Sequence, residues 1–213
     1  MKRLLLCLLV AVSLAAAPKP LTEATVRAAL TPLGEIDIGE LKAMGPAVLP
    51  HLVRIYKTTP DEDARATYAW VFYSLGWKSP EARAALLRDV GTRNEKLRLQ
   101  VQWALGRVSD DTQVVEVLAN IMRNDANPLF RDKAACALAY DQIHLTEKQK
   151  VLLFGKLIEG LKDPKAQVRK ISLQALKIHT GQTKGFSPNG SEEARARAIA
   201  AWTKWLAEYE QNL

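Results

Sequence analysis

Apolar residues return along this chain every three or four positions. Val48, Leu49, Leu52, Val53, Ile55 and Tyr56 form one such run, and Val114, Val115, Leu118, Ile121 and Met122 another. This spacing lays an apolar stripe along one face of a helix. No stretch alternates apolar with polar over the length of a strand, so the pattern reads as all-helical. Boundary signals agree. Thr22, Ser79, Asp110 or Asp111, Thr146 and Ser191 stand where side chains cap helix starts, while Gly45, Gly76 and Gly181 follow helix ends. Pro80 sits at a first helical position, and Pro50 falls in a first turn, where its missing amide proton costs least. The predicted helices cover 22–30, 39–44, 46–56, 61–75, 79–90, 95–108, 112–123, 127–140, 146–161 and 163–181, and a last one starts at Ser191.

Superimposed on this periodicity is a longer one. Arg65, Arg98 and Arg131 stand 33 residues apart, and Arg169 follows after 38. Each opens the same kind of segment: five residues on come Trp70, Trp103, Cys136 and Gln174, and seven on come Phe72, Leu105, Leu138 and Leu176. A period in the thirties is the mark of stacked supersecondary units. Each unit is expected to be an antiparallel helix pair joined by a short turn. One pair cannot bury both apolar faces alone, so neighbours stack. The longer fourth interval is placed in the loop from Asp141 to Leu145.

Two features make the pattern resemble HEAT repeats in their compact bacterial form. Asp163 and Pro164, followed by Val168 and Arg169, look like the opening of that family's first helix. The segment from Leu41 to Val53, with Gly45, Pro46 and Pro50, looks like its turn and second helix. The resemblance covers 39–181. The stretch from Thr180 to Asn189, then Glu192 to Arg195 and Ala198 to Trp205, is similar to a closing segment of exported bacterial HEAT-repeat proteins. Ile199, Trp202, Trp205 and Leu206 fall on one side of that last helix and seal the open apolar end of the stack, which solenoids need for solubility. These tryptophans therefore read as core. The expected fold is a short right-handed α-solenoid of antiparallel helix pairs with a C-terminal capping helix. Its organisation is 1–17 leader, 18–38 lead-in with a short helix, 39–181 repeats, and 182–213 loop and capping helix.

The first residues set the expected compartment. Lys2 and Arg3 precede an apolar run from Leu4 to Val12, and Ser13 to Ala17 supplies small residues, as in a secretory signal. The apolar run ends at Ala17 and falls short of the ~18 residues that a spanning helix needs. A cut after Ala15 is preferred to one that would leave Pro18 first; an uncleaved tether is the alternative. The location expected is the bacterial periplasm or the medium. Loss of Lys2 and Arg3, with no acid, would lower the net charge from +7 to +5. That is too modest to require nucleic acid. Cys136 would then be the one cysteine left, and it reads as a small buried apolar residue, not a disulfide partner.

Candidate chemistry is sparse. His51, His144 and His179 lie far apart without partners at metal-ligand spacing. His179, near a helix end, is expected to bond free carbonyls. No nucleophile elbow, phosphate loop or dinucleotide fingerprint is present. Asp110 with Asp111, and Asp61, Glu62 and Asp63, stand at helix starts, where capping explains them. No catalytic residue, metal or cofactor is expected. The repeated arginines have two readings: a half-buried ladder bonding helix-end carbonyls or acids of the next unit, such as Asp132 or Asp163, or a row of cations on a binding face. The resemblance implies that second helices line the concave side. There Arg83, Arg88, Glu116, Arg123, Lys150 and Lys156 are the candidate partner-binding residues. The function expected is a non-enzymatic scaffold holding another protein or peptide. The alternative is binding of nucleic acid or another anionic polymer through arginine and lysine.

Overall fold

A computed structural model describes residues 21–31 and 34–213. The leader expected over 1–17 lies outside the described residues. Eleven helices occupy the described chain, with no strand among them: α1 (Glu23–Ala29), α2 (Ile38–Ala43), α3 (Val48–Thr58), α4 (Glu62–Leu75), α5 (Pro80–Asp89), α6 (Glu95–Val108), α7 (Thr112–Asn124), α8 (Pro128–Tyr140), α9 (Glu147–Gly160), α10 (Ala166–Thr180) and α11 (Glu192–Gln211). The capping residues act as their chemistry dictates. Asp61 accepts from the amides of Asp63 and Ala64, Asp111 accepts from Gln113, and Thr146 forms a reciprocal capping box with Gln149. Gly76 and Gly181 close α4 and α10 in the left-handed conformation, with φ of 65° and 70°, where a side chain would be strained.

The helices stack in two layers to form an α-solenoid. One layer runs α2, α4, α6, α8, α10, each packed on the next, and carries all four repeated arginines. In the other, α1 packs on α3 and α3 on α5, and α7 packs on α9 and α9 on α11. The core between them is apolar: Leu52, Ile55, Phe72, Leu86, Leu105, Leu118, Met122 and Leu157 are fully buried or nearly so. Each layer supplies the apolar stripe that covers the other's.

Pairing along the chain differs from what the resemblance implies, in which the arginine helix comes first. The closest antiparallel neighbours are α5 with α6, α7 with α8, and α9 with α10, so from α5 onward the arginine helix closes each hairpin. Two of these hairpin turns are clasped by their own arginine. Nη1 of Arg131 donates to the carbonyls of Asp125 and Ala126, at 2.7 and 3.1 Å, and Arg169 repeats this on Asp163 and Pro164. The guanidinium thus reaches back over the turn before its own helix and holds that turn to it. The same bonds displace the start of α10. The sequence places it at Asp163 and Pro164, but their carbonyls face Arg169 and the Asp163 carboxylate accepts from the Lys165 amide, so the helix begins at Ala166.

At the far end α11 packs on α9 and closes the second layer. Trp202 is fully buried, with Trp205, Leu206 and Ile199 packed beside it. Phe154 of α9 meets the rings of Trp205 and Tyr209 edge-on at centroid distances of 5.3 Å. The capping role read from the apolar spacing of this helix holds.

Candidate interaction surface

The arginines form a ladder along one edge of the arginine layer. Arg65 donates to the carbonyls of Thr59 and Pro60 and, through Nε at 3.1 Å, to Asp89 at the end of α5. Arg98 pairs with the Asp125 carboxylate and lies over the Phe130 ring. Arg131 adds to its two carbonyls the side-chain oxygen of Gln167. The last rung, Arg169, sends Nε 2.8 Å to the Pro188 carbonyl in the loop before α11. Most rungs therefore tie the turn before their own helix to the next turn along the stack. Of the two readings of the arginines, the structure has the inward one. Its acids are Glu62, Asp89 and Asp125, whereas Asp132 pairs with Lys133, and the Asp163 carboxylate lies 3.7 Å from Nε of Arg123. The acids at the turns lie within reach of a guanidinium; Asp132, inside α8, stands in a different direction.

The candidate partner-binding residues lie on the other layer and do not form one site. Glu116, Arg123 and Lys156 line a small cleft of about 140 Å³ between α7 and α9, together with Glu159. Arg123 and Lys156 stand 3.3 and 3.9 Å from that Glu159 carboxylate. Arg83 faces a separate cleft with Lys78 and Asp110 and pairs with Asp111. Lys150 pairs with Glu147 at 2.6 Å, and Arg88 is exposed on α5. The cations of this face are largely answered by the protein's own carboxylates, and exposed pairs of this kind hold each other only weakly.

The arginine layer shows a different surface, which charge-based reasoning passed over. Trp70 and Tyr140 are 38% and 57% exposed, and Ile143 and Ile178 also reach solvent. The position five residues after each arginine presents Trp70, Trp103, Cys136 and Gln174 on successive helices, a signal already in the repeat. Trp103 packs at 6.4 Å from the Tyr73 ring, and the Arg107 guanidinium lies 4.5 Å over the other partner of that pair, Tyr73. Arg107 is held by Asp141, whose carboxyl burial pushes up while the guanidinium at 2.9 Å pulls it down. Cys136 is half-buried, not buried as expected. It lines a shallow cavity of about 40 Å³ between α8 and α10 with Tyr140 and Ile178. Burial and the nearby Asp132 carboxylate push its thiol up, which keeps it protonated and slow to react.

His144 sits with Nε2 at 3.0 and 2.9 Å from the Gly76 and Arg107 carbonyls, and His179 with Nε2 at 2.9 Å from the Leu138 carbonyl. His179 bonds a helix-end carbonyl, as expected, but one on the neighbouring α8. Burial holds its pKa below the ordinary 6.5, with the bond to Leu138 opposing. The unfolded chain therefore takes up this proton at higher pH than the native one. Its contribution to stability is complete above about pH 6.5 and is lost as pH falls below that. Urea midpoints are expected to drop between about pH 7 and about pH 5 more in the parent than in His179→Gln, whose amide keeps a donor for Leu138. Equal slopes would rule the titration out.

Among the described residues no group of three or more His, Cys, Asp or Glu side chains is placed to hold a metal ion, and no helix is long and apolar enough to cross a membrane. Residues 49–139, from α3 to α8, match the family model of HEAT repeats. The matched stretch lies within the stacked helix pairs. A comparison with curated proteins found no match.

Proposed function

We propose that this chain, which carries HEAT repeats over 49–139, is a non-enzymatic scaffold of the cell envelope that holds another protein or peptide on its helical stack. HEAT repeats generally mediate protein–protein interaction. The observation that carries the reading is the set of solvent-reaching apolar side chains on the arginine layer, Trp70, Tyr140 and Ile178. A few such anchors, aromatic above all, supply most of the energy of an interface. The envelope is read from Lys2 and Arg3 ahead of the apolar run to Val12. The charged residues Arg83, Arg88, Glu116, Arg123, Lys150 and Lys156 form a second proposed contact set on the opposite layer.

The test is affinity capture from envelope extract at low and high salt, with the parent and with the double variant Trp70→Ala/Tyr140→Ala. A stoichiometric protein partner that survives high salt and is lost with the double variant is the expected result. Retention by that variant, with loss on Arg123→Ala/Lys156→Ala, would move the contact to the opposite layer. Capture only of an anionic polymer, released by salt, would replace the reading by electrostatic polymer binding.

A further inference from the structure

The geometry points to the groove between α10 and the loop over 181–190 as the seat of an extended, acidic peptide segment of the partner. This rests on the scaffold reading above. An opening of about 1010 Å³ runs along α10, floored by Gln167, Lys170, Gln174 and Lys177 and walled by Thr183 and Asn189. The four α10 residues recur at helical spacing and share one face. No carboxylate lines the groove, and among the described residues neither Lys170 nor Lys177 has an ion-pair partner. The clefts of the opposite layer, by contrast, contain their own acids, Asp110 and Asp111 in one and Glu116 and Glu159 in the other.

Two further features favour an anionic occupant. The groove reaches Ala166, the first residue of α10, whose N-cap makes no side-chain cap bond and whose first turn has no acid; the Asp163 carboxylate meets only the Lys165 amide before it, so part of the positive helix end faces the groove beside Lys170. Its wall is also built in advance. Trp202 Nε1 donates to the Thr183 carbonyl at 3.2 Å, Arg169 Nε donates to that of Pro188 at 2.8 Å, and Phe186 is buried beneath. A preformed wall spares a ligand the cost of ordering the loop.

The dimensions select an extended segment. The 15 residues of α10 span about 22 Å, which about seven extended residues match. Lys170 and Lys177 lie two helical turns apart, roughly 10 Å, or about three extended residues. The groove shares Gln174 and Ile178 with the shallow cavity of Cys136 and Tyr140, which accepts the tip of one aliphatic side chain. Asp132 at the rim of that cavity, near Lys133, is the one acid lining it and disfavours a carboxylate there. The motif inferred is therefore acidic residues on α10 followed by an aliphatic anchor.

The test is fluorescence anisotropy on the full chain with a blocked, dye-labelled peptide of about eight residues in which aspartate and glutamate precede a leucine. Its asparagine–glutamine counterpart serves as the uncharged control. The acidic peptide is expected to bind at least about tenfold more tightly than the amide version. Lys170→Ala/Lys177→Ala is expected to weaken it by about tenfold, the scale of two solvent-exposed ion pairs. Ile178→Asp abolishes binding, and Lys57→Ala/Lys96→Ala, on α3 and α6, leaves it unchanged. Equal binding of both peptides, or indifference to the lysine pair, overturns the inference. So does tighter binding of a single-stranded oligonucleotide through the same lysines, or a dimer of the parent that Ile178→Asp dissociates. If the acidic peptide fails while a captured protein still binds through Trp70 and Tyr140, the groove assignment falls and the scaffold stands.

Discussion

Trp202→Ala is expected to lower the stability of the protein by about 3–5 kcal/mol, the cost of truncating a fully buried indole and leaving a cavity. On a chain of this size that is a fall in the unfolding midpoint of roughly 10 °C. The ring does two jobs. It packs at 5.4 Å against Trp205 in the cluster that seals the stack, and its Nε1 holds the Thr183 carbonyl. Trp202→Phe keeps most of the apolar contact but loses the hydrogen bond and part of the ring volume, so it should cost about 1–2 kcal/mol. Thermal unfolding followed by circular dichroism measures both. Hydrogen exchange should show faster exchange first in the loop over 181–190 and in α9 and α11, since each element of a stack depends on its neighbours. Loss of less than about 1 kcal/mol in the alanine variant would mean that α11 does not seal the core.

Arg169→Ala is expected to cost about 2–4 kcal/mol. Only 9% of the residue is exposed, and its guanidinium satisfies the carbonyls of Asp163, Pro164 and Pro188. Removing it leaves those acceptors without the donor that drew them inward, and it frees the loop that walls the α10 groove. Arg169→Lys should not restore the loss. Lysine offers one nitrogen where arginine places Nη1 on two carbonyls and Nε on a third in a fixed plane. Chemical denaturation with both variants is the check. A lysine variant as stable as the parent would reduce this rung to a charge effect. Faster exchange confined to the loop, with an unchanged midpoint, would make it a local clasp and not a support of the stack.

Much of the fold was legible before any coordinates. Helix spacing marked the apolar stripes, and Asp61, Ser79, Thr146 and Ser191 act as the caps that their chemistry predicts. The arginine interval identified the repeat because a stacked unit places the same donor beside the same turn each time. The placement of Trp202 was legible too, since four apolar residues on one side of a last helix have only the open end of the stack to cover.

The candidate site was less legible. Formal charge singled out Arg83, Arg123, Lys150 and Lys156, but a sequence does not show which acid answers which cation. The pairs Arg83 with Asp111, and Arg123 with Glu159, join residues 28 and 36 apart. The groove along α10 depends on a loop that becomes a wall only because Arg169 and Trp202 grip it from two helices. By itself, then, the sequence determined the helices, their period and the closure of the stack, because these follow from local spacing and from the need to cover apolar faces. Only the tertiary structure decided which helices pair most closely, that the arginines turn inward, and which lysines keep an open face. Those outcomes depend on distances between side chains far apart in the chain, and hydrogen bonds and ion pairs act only when folding has closed those distances.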